Sequence, residues 1–176
     1  ELKEYWRAAH ALQGCAGPKA RFLRGYARFL AGQKRRDEEV AESAGPLGAR
    51  GDVQNHELRE LERELAGVRR RGESDAFSEL LYGLVLSERS GGARAEEARG
   101  ALASSVSLFP CNWSAWLALQ DLCPDLATAE ALPLPRGHWM RDLFLASLCL
   151  ELQLNQEGLE RYDALASQFP GSRHDR

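Results

Sequence analysis

The sequence predicts an all-α chain, an α-α superhelix of tetratricopeptide-like helix–turn–helix repeats. Three observations carry this reading. Leu and Ala occur 28 and 25 times in 176 residues, against five Val, one Thr and no Ile. Leu and Ala are strong helix formers and β-branched residues favour strands, so six β-branched residues cannot furnish a sheet. The 20 Arg against three Lys suggest a GC-rich coding sequence, which would also deplete Ile but not Val or Thr. Second, apolar residues recur at helical spacing between Gly and Pro breakers. Third, a pattern of small and large residues repeats with a period near 34 residues.

Taken in order, residues 1–13 read as a helix that stops near Gly14. Pro18 suits the first turn of the next helix, along which Phe22, Tyr26, Phe29 and Leu30 form one apolar stripe. Gly32 is expected to end it. The charged run from Lys34 to Glu39 leads into a short helical piece and reads as a solvated face. Residues 43–54 hold three Gly and one Pro and read as a loop.

Asn55 is the expected N-cap of a helix over 55–71. Glu57 and Glu60 near its start and Arg69 to Arg71 at its end match the helix dipole. Leu58, Leu61, Leu65 and Val68 form a narrow seam, packing either on the chain's own superhelix or on a second chain. These four are the candidate partner-binding residues. Further helices are expected over about 74–88, 94–108, 113–123, 138–152 and 155–168, with a break at Leu132-Pro133-Leu134-Pro135.

The repeat is clearest at the end: Leu145-Ala146, Cys149, Gly158, Tyr162, Leu165 and Pro170. Its second half recurs as Ala98, Leu102, Ser105 and Pro110, and at the start as Ala8, Leu12 and Cys15, while Trp116 and Leu119 take large first-helix positions. Small residues let two helices approach and Pro stops the second. Gln120 and Asp142 depart from the pattern. The expected organisation is a second helix over 1–14, a degenerate repeat over 18–42, an inserted loop and helix over 43–71, a repeat over 74–110, a shortened repeat over 113–135 and a repeat over 138–170. The polar tail and the start at Glu1-Leu2-Lys3 lead us to expect an N-terminal piece of a longer superhelix.

Chemistry is sparsely signalled. The net charge of -3 argues against a nucleic-acid partner, and no apolar run approaches the ~20 residues that span a bilayer. Cys15, Cys111, Cys123 and Cys149 lack C-x-x-C spacing and read as free thiols in an intracellular compartment. His10, His56, His138 and His174 show no metal-ligand spacing, so neither metal nor cofactor is expected. No G-x-S-x-G is present, and Gly91-Gly92 reads as a turn rather than a phosphate loop, so no enzyme is expected. Trp113, Trp116, Trp139, Tyr26 and Tyr82 read as core, with a peptide-binding aromatic groove as the alternative.

Several segments are more specific than a generic repeat. They include Lys3-Glu4-Tyr5-Trp6-Arg7-Ala8-Ala9-His10, Tyr26-Ala27-Arg28-Phe29-Leu30-Ala31-Gly32-Gln33, Asn55-His56-Glu57-Leu58-Arg59-Glu60-Leu61, Leu81-Tyr82-Gly83-Leu84, Pro110-Cys111-Asn112-Trp113-Ser114-Ala115-Trp116 and Trp139-Met140-Arg141-Asp142-Leu143-Phe144. In this order and spacing the chain resembles the N-terminal region of the family of subunit eight of the anaphase-promoting complex (cyclosome), from residue 3 to about 167. It diverges at Gly91-Gly92-Ala93, at Arg136-Gly137-His138 and at the tail, where loop variation is cheap.

The resemblance implies a non-catalytic scaffold in a cell-cycle ubiquitin ligase, found in the nucleus and cytoplasm. It also implies a homodimer through this region, contacts with other cyclosome subunits, and a coactivator groove mostly beyond residue 176. The alternative is a monomeric peptide-gripping adaptor of the co-chaperone kind. Against it, the expected concave positions Leu117, Asp121, Leu143 and Ser147 have the wrong chemistry for a carboxylate.

Overall fold

A computed structural model describes residues 2–43, 54–90 and 92–169. Among these the chain forms α1 (Leu2–Ala11), α2 (Pro18–Ser43), α3 (Leu58–Arg70), α4 (Ala76–Ser90), α5 (Ala95–Leu108), α6 (Trp113–Gln120), α7 (Leu126–Ala131), α8 (Trp139–Glu151) and α9 (Asn155–Ser167). No strand occurs among the described residues, so the fold is all-α, with helices packed in adjacent pairs. Residues 44–53 of the expected loop, together with Gly91, Pro170 and His174, lie outside the described residues.

One expectation is overturned. Gly32 does not end a helix, because α2 runs without a break from Pro18 to Ser43. Glycine costs about 1 kcal/mol in a helix interior but does not remove the backbone hydrogen bonds. The following turns are supported by Lys34–Glu38 and Arg35–Glu39 pairs one turn apart. The charged run therefore belongs to the same helix as the aromatic stripe.

The chain divides into two compact units, Glu1–Ala98 and Arg99–Arg176. In the first, α1 packs on α2, and α2, α3 and α4 pack on one another. Its core holds Ala27, Phe29 and Ala31 of α2, the seam of α3, and Leu80, Leu81, Val85 and Leu86 of α4. Phe22 stacks on Tyr26, with ring centroids 5.4 Å apart, and meets Phe77 at 5.3 Å. Tyr82 is buried as expected, while Tyr26 is half-buried.

In the second unit α8 packs on α9, α6 and α7. Trp116 is fully buried, tilted against Phe144 at 5.0 Å, and its indole Nε1 donates to the Pro110 carbonyl at 2.8 Å. A buried indole N–H needs such an acceptor. Leu119, Leu145, Leu148 and Cys149 complete this core. Asp125 caps α7 by accepting the Thr128 N–H at 2.7 Å. Leu132 is extended, as the residue before a proline must be, and α7 stops at six residues.

The repeat positions differ along the chain. Ala98, Leu102, Ser105, Ala146, Cys149 and Gly158 are buried. A Cβ on Gly158 would lie 2.9 Å from Leu150 Cδ2 and 3.4 Å from Cys149 Cβ, the close approach that its position in the spacing anticipates. Ala8 and Cys15 are exposed instead, because α1 packs on α2 through Ala9. Trp113 is half-buried and Trp139 is 39 % exposed, resting on His138 and edge-on against Phe169 at 5.8 Å. Trp139 opens α8, where fewer neighbouring side chains can cover it than in mid-helix.

Candidate interaction surface

Helix α3 owes its place to its sequence. Leu58, Leu61, Leu65 and Val68 lie on one side of the cylinder and are buried, Leu61 to 1 % exposure. They face α2 and α4 inside the first unit. The seam singled out from the sequence thus lies in the unit's own core, and a partner of α3 would meet its other sides.

The carboxylates flanking the seam are tied down. Arg28 of α2 reaches Glu57 through Nε at 3.0 Å, Glu60 through Nη2 at 2.7 Å and Glu64 through Nη1 at 2.8 Å. One planar guanidinium spreads its donors over three acids spaced along the helix, a fork that an ammonium cannot supply. Burial opposes the charge on Arg28, yet hydrogen bonds to Glu64 and Glu57 outweigh it and raise its pKa. Asn55 locks the entry to α3. Its amide donates to the Phe29 carbonyl at 3.2 Å and its Oδ1 accepts the Glu57 N–H at 3.0 Å. Asn55 therefore caps the turn before α3 rather than α3 itself.

On the opposite flank, Glu62 pairs with Arg94 at 2.5 Å and with Arg89. Arg94 also holds Glu97 at 2.6 Å, and the Tyr82 hydroxyl donates to Glu97 at 2.9 Å. Arg94 and Tyr82 together hold the Glu97 carboxyl below its usual range. Burial, then the bond to Glu97, push the Tyr82 phenol up. Arg69 lies 5.5 Å over the Tyr82 ring and pairs with the buried Glu79 at 3.3 Å. This chain of ions links α3, α4 and the first turn of α5.

Between α1, α2 and α3 runs an open cleft of about 640 Å³, lined by Trp6, Ala9, His10, Gln13, Arg24, Arg28 and the three glutamates. Trp6 is 41 % exposed at its rim. The glutamates of this cleft sit at i, i+3 and i+7, a helical stripe readable in the sequence. Their shared arginine, 29 to 36 positions earlier, is not.

Among the described residues no group of His, Cys, Asp and Glu is arranged to hold a metal, and no helix is long and apolar enough to cross a membrane. The four cysteines are free; Cys15 and Cys111 are exposed, Cys123 and Cys149 buried. Leu117 and Asp121 are exposed, while Leu143 and Ser147 are half-buried.

The family model described as anaphase promoting complex subunit 8 / Cdc23 matches residues 1–174. The chain is 42% identical over 174 residues to the anaphase-promoting complex subunit 8 of Arabidopsis thaliana, covering 99% of this chain and 29% of that protein. It is 41% identical over 165 residues to the cell division cycle protein 23 homolog of Homo sapiens, covering 94% of this chain and 27% of that one. A third relative, from Dictyostelium discoideum, is 29% identical over 210 residues. The chain thus spans less than a third of the length of the first two.

Proposed function

The chain belongs to the anaphase promoting complex subunit 8 / Cdc23 family, and from that membership we propose that it is a non-catalytic scaffold region of the cell-cycle ubiquitin ligase that the family name denotes. In this reading it pairs with a second copy of itself and contacts other subunits and a coactivator, in the nucleus and cytoplasm.

The observation that carries the reading is the family match over residues 1–174. It is supported by the architecture. Packed helix pairs hold a rigid surface in place through a contiguous apolar core, and their functional groups are the outward helix faces. The cleft between α1, α2 and α3, lined in part by Trp6, is one such surface in the first unit.

Sedimentation of the purified chain at micromolar concentration tests the pairing. A species of twice the chain mass is expected, and a strictly monomeric one would overturn it. For the scaffold role, the tagged full-length protein is expected to co-purify with the other subunits of the complex. Recovery of the protein without them would count against that role.

A further inference from the structure

We propose that the outward face of α3 is a docking strip for an acidic segment of a partner polypeptide, gripped by Arg59, Arg63 and Arg70. At 100° per residue these three fall on the side opposite Leu58, Leu61, Leu65 and Val68, with only the small Ala66 and Gly67 beside them between Arg63 and Arg70. All three are exposed, and among the described residues none makes an ion pair or hydrogen bond.

The contrast with the rest of the helix is what points outward. Every acid on or beside α3 is paired inside the unit: Glu57, Glu60 and Glu64 with Arg28, and Glu62 with Arg89 and Arg94. No carboxylate is directed at the three arginines, although Glu57, Glu60 and Glu64 share a single guanidinium. Arg59 and Arg63 are like charges one turn apart, a repulsion that an acidic partner relieves.

Charge and geometry select the occupant. Guanidinium forks match carboxylates two bonds at a time. The eleven steps from Arg59 to Arg70 rise about 16 Å, which an extended segment of about five residues covers. Arg59 and Arg63 are about 6 Å apart along the axis, close to the repeat of alternate side chains on such a segment. A nucleic acid, far more highly charged, would face the net charge of -3 on the whole chain.

The test is fluorescence anisotropy with a fluorescein-labelled hexaglutamate peptide at low salt. A single-site isotherm is expected, weakening as salt rises. Arg59→Gln/Arg63→Gln/Arg70→Gln is expected to weaken binding at least tenfold with unchanged helicity and unfolding midpoint. An Arg136→Gln control, an exposed cation between α7 and α8, is expected to bind normally. The proposal is overturned if the unmodified chain shows no saturable binding, if the triple variant binds equally well, or if the loss is matched by Arg136→Gln. A single-stranded oligonucleotide of equal charge that binds the strip more tightly than the peptide would overturn the choice of an acidic polypeptide.

Discussion

The carboxamide of Asn55 fills the space beside the α2 backbone that a side chain at Gly32 would occupy. From there its nitrogen reaches the Phe29 carbonyl and its oxygen the Glu57 N–H. A glycine in mid-helix and a buried amide after the loop are thus two halves of one contact, which sets where α3 begins relative to α2.

Gly32→Ala should destabilise the chain although alanine is the better helix former. The propensity gain is about 1 kcal/mol, while crowding a packed site costs about 1–3 kcal/mol. Asn55→Ala should cost about 1–3 kcal/mol by leaving buried groups unpaired. In urea unfolding the double variant should lose less than the sum of the two, with a coupling above about 0.5 kcal/mol. Strict additivity would contradict the contact.

Arg28→Met should destabilise the first unit by roughly 2 kcal/mol, less than the loss of a fully buried partner, because Glu60 and Glu64 retain access to water. Adding Glu60→Gln and Glu64→Gln should recover part of the loss, since the three crowded carboxylates then no longer repel. Unfolding curves in low and high salt check this. Failure of the added substitutions to help would mean that the lost stem packing dominates.

The thiols should divide into two classes. Cys15 and Cys111 are exposed and should alkylate readily at pH 8. Burial pushes the Cys123 thiol up to about 11, so almost none is thiolate at that pH, and Cys149 is both buried and shifted in the same direction. Mass spectrometry of the iodoacetamide-treated chain should show two rapid modifications and two that appear only in denaturant.

Stability should fall at both ends of the pH scale through the Arg94–Glu97–Tyr82 cluster, in which Arg94 and then Tyr82 lower the Glu97 carboxyl and burial and then Glu97 raise the Tyr82 phenol. Glu97 has a folded pKa below 4.5, so its contribution is complete above that value and lost as pH falls through the folded pKa. Tyr82 has a folded pKa above 10.0, so its contribution is complete below 10.0 and lost as pH rises through the folded pKa. Tyr82→Phe should cost about 1 kcal/mol near neutrality and flatten the alkaline limb. Thermal unfolding across pH, with Glu97→Gln for the acid limb, measures both effects.

Much of the fold was legible because it is local. The shortage of β-branched residues excludes a sheet, and the 58, 61, 65, 68 spacing marks the buried side of α3 from a dozen residues alone. The close-approach position at Gly158 also follows from spacing. The surfaces were less legible. The seam, left open between the chain's own core and a partner surface, is buried in the core, whereas the Arg59, Arg63 and Arg70 strip could have been read from the same helical wheel. Its freedom from ion pairs could not, since that depends on where Arg28, Arg89 and Arg94 direct their charges.

The sequence by itself therefore determined the helical class and the inward face of each strongly periodic helix, because backbone propensity and side-chain period act within a few turns. Tertiary structure alone decided that α2 continues through Gly32, that three glutamates share Arg28, and that Trp139 remains partly in solvent. Those outcomes rest on contacts with other helices, whose energies outweigh a local glycine or tryptophan preference and leave no periodic trace in the chain.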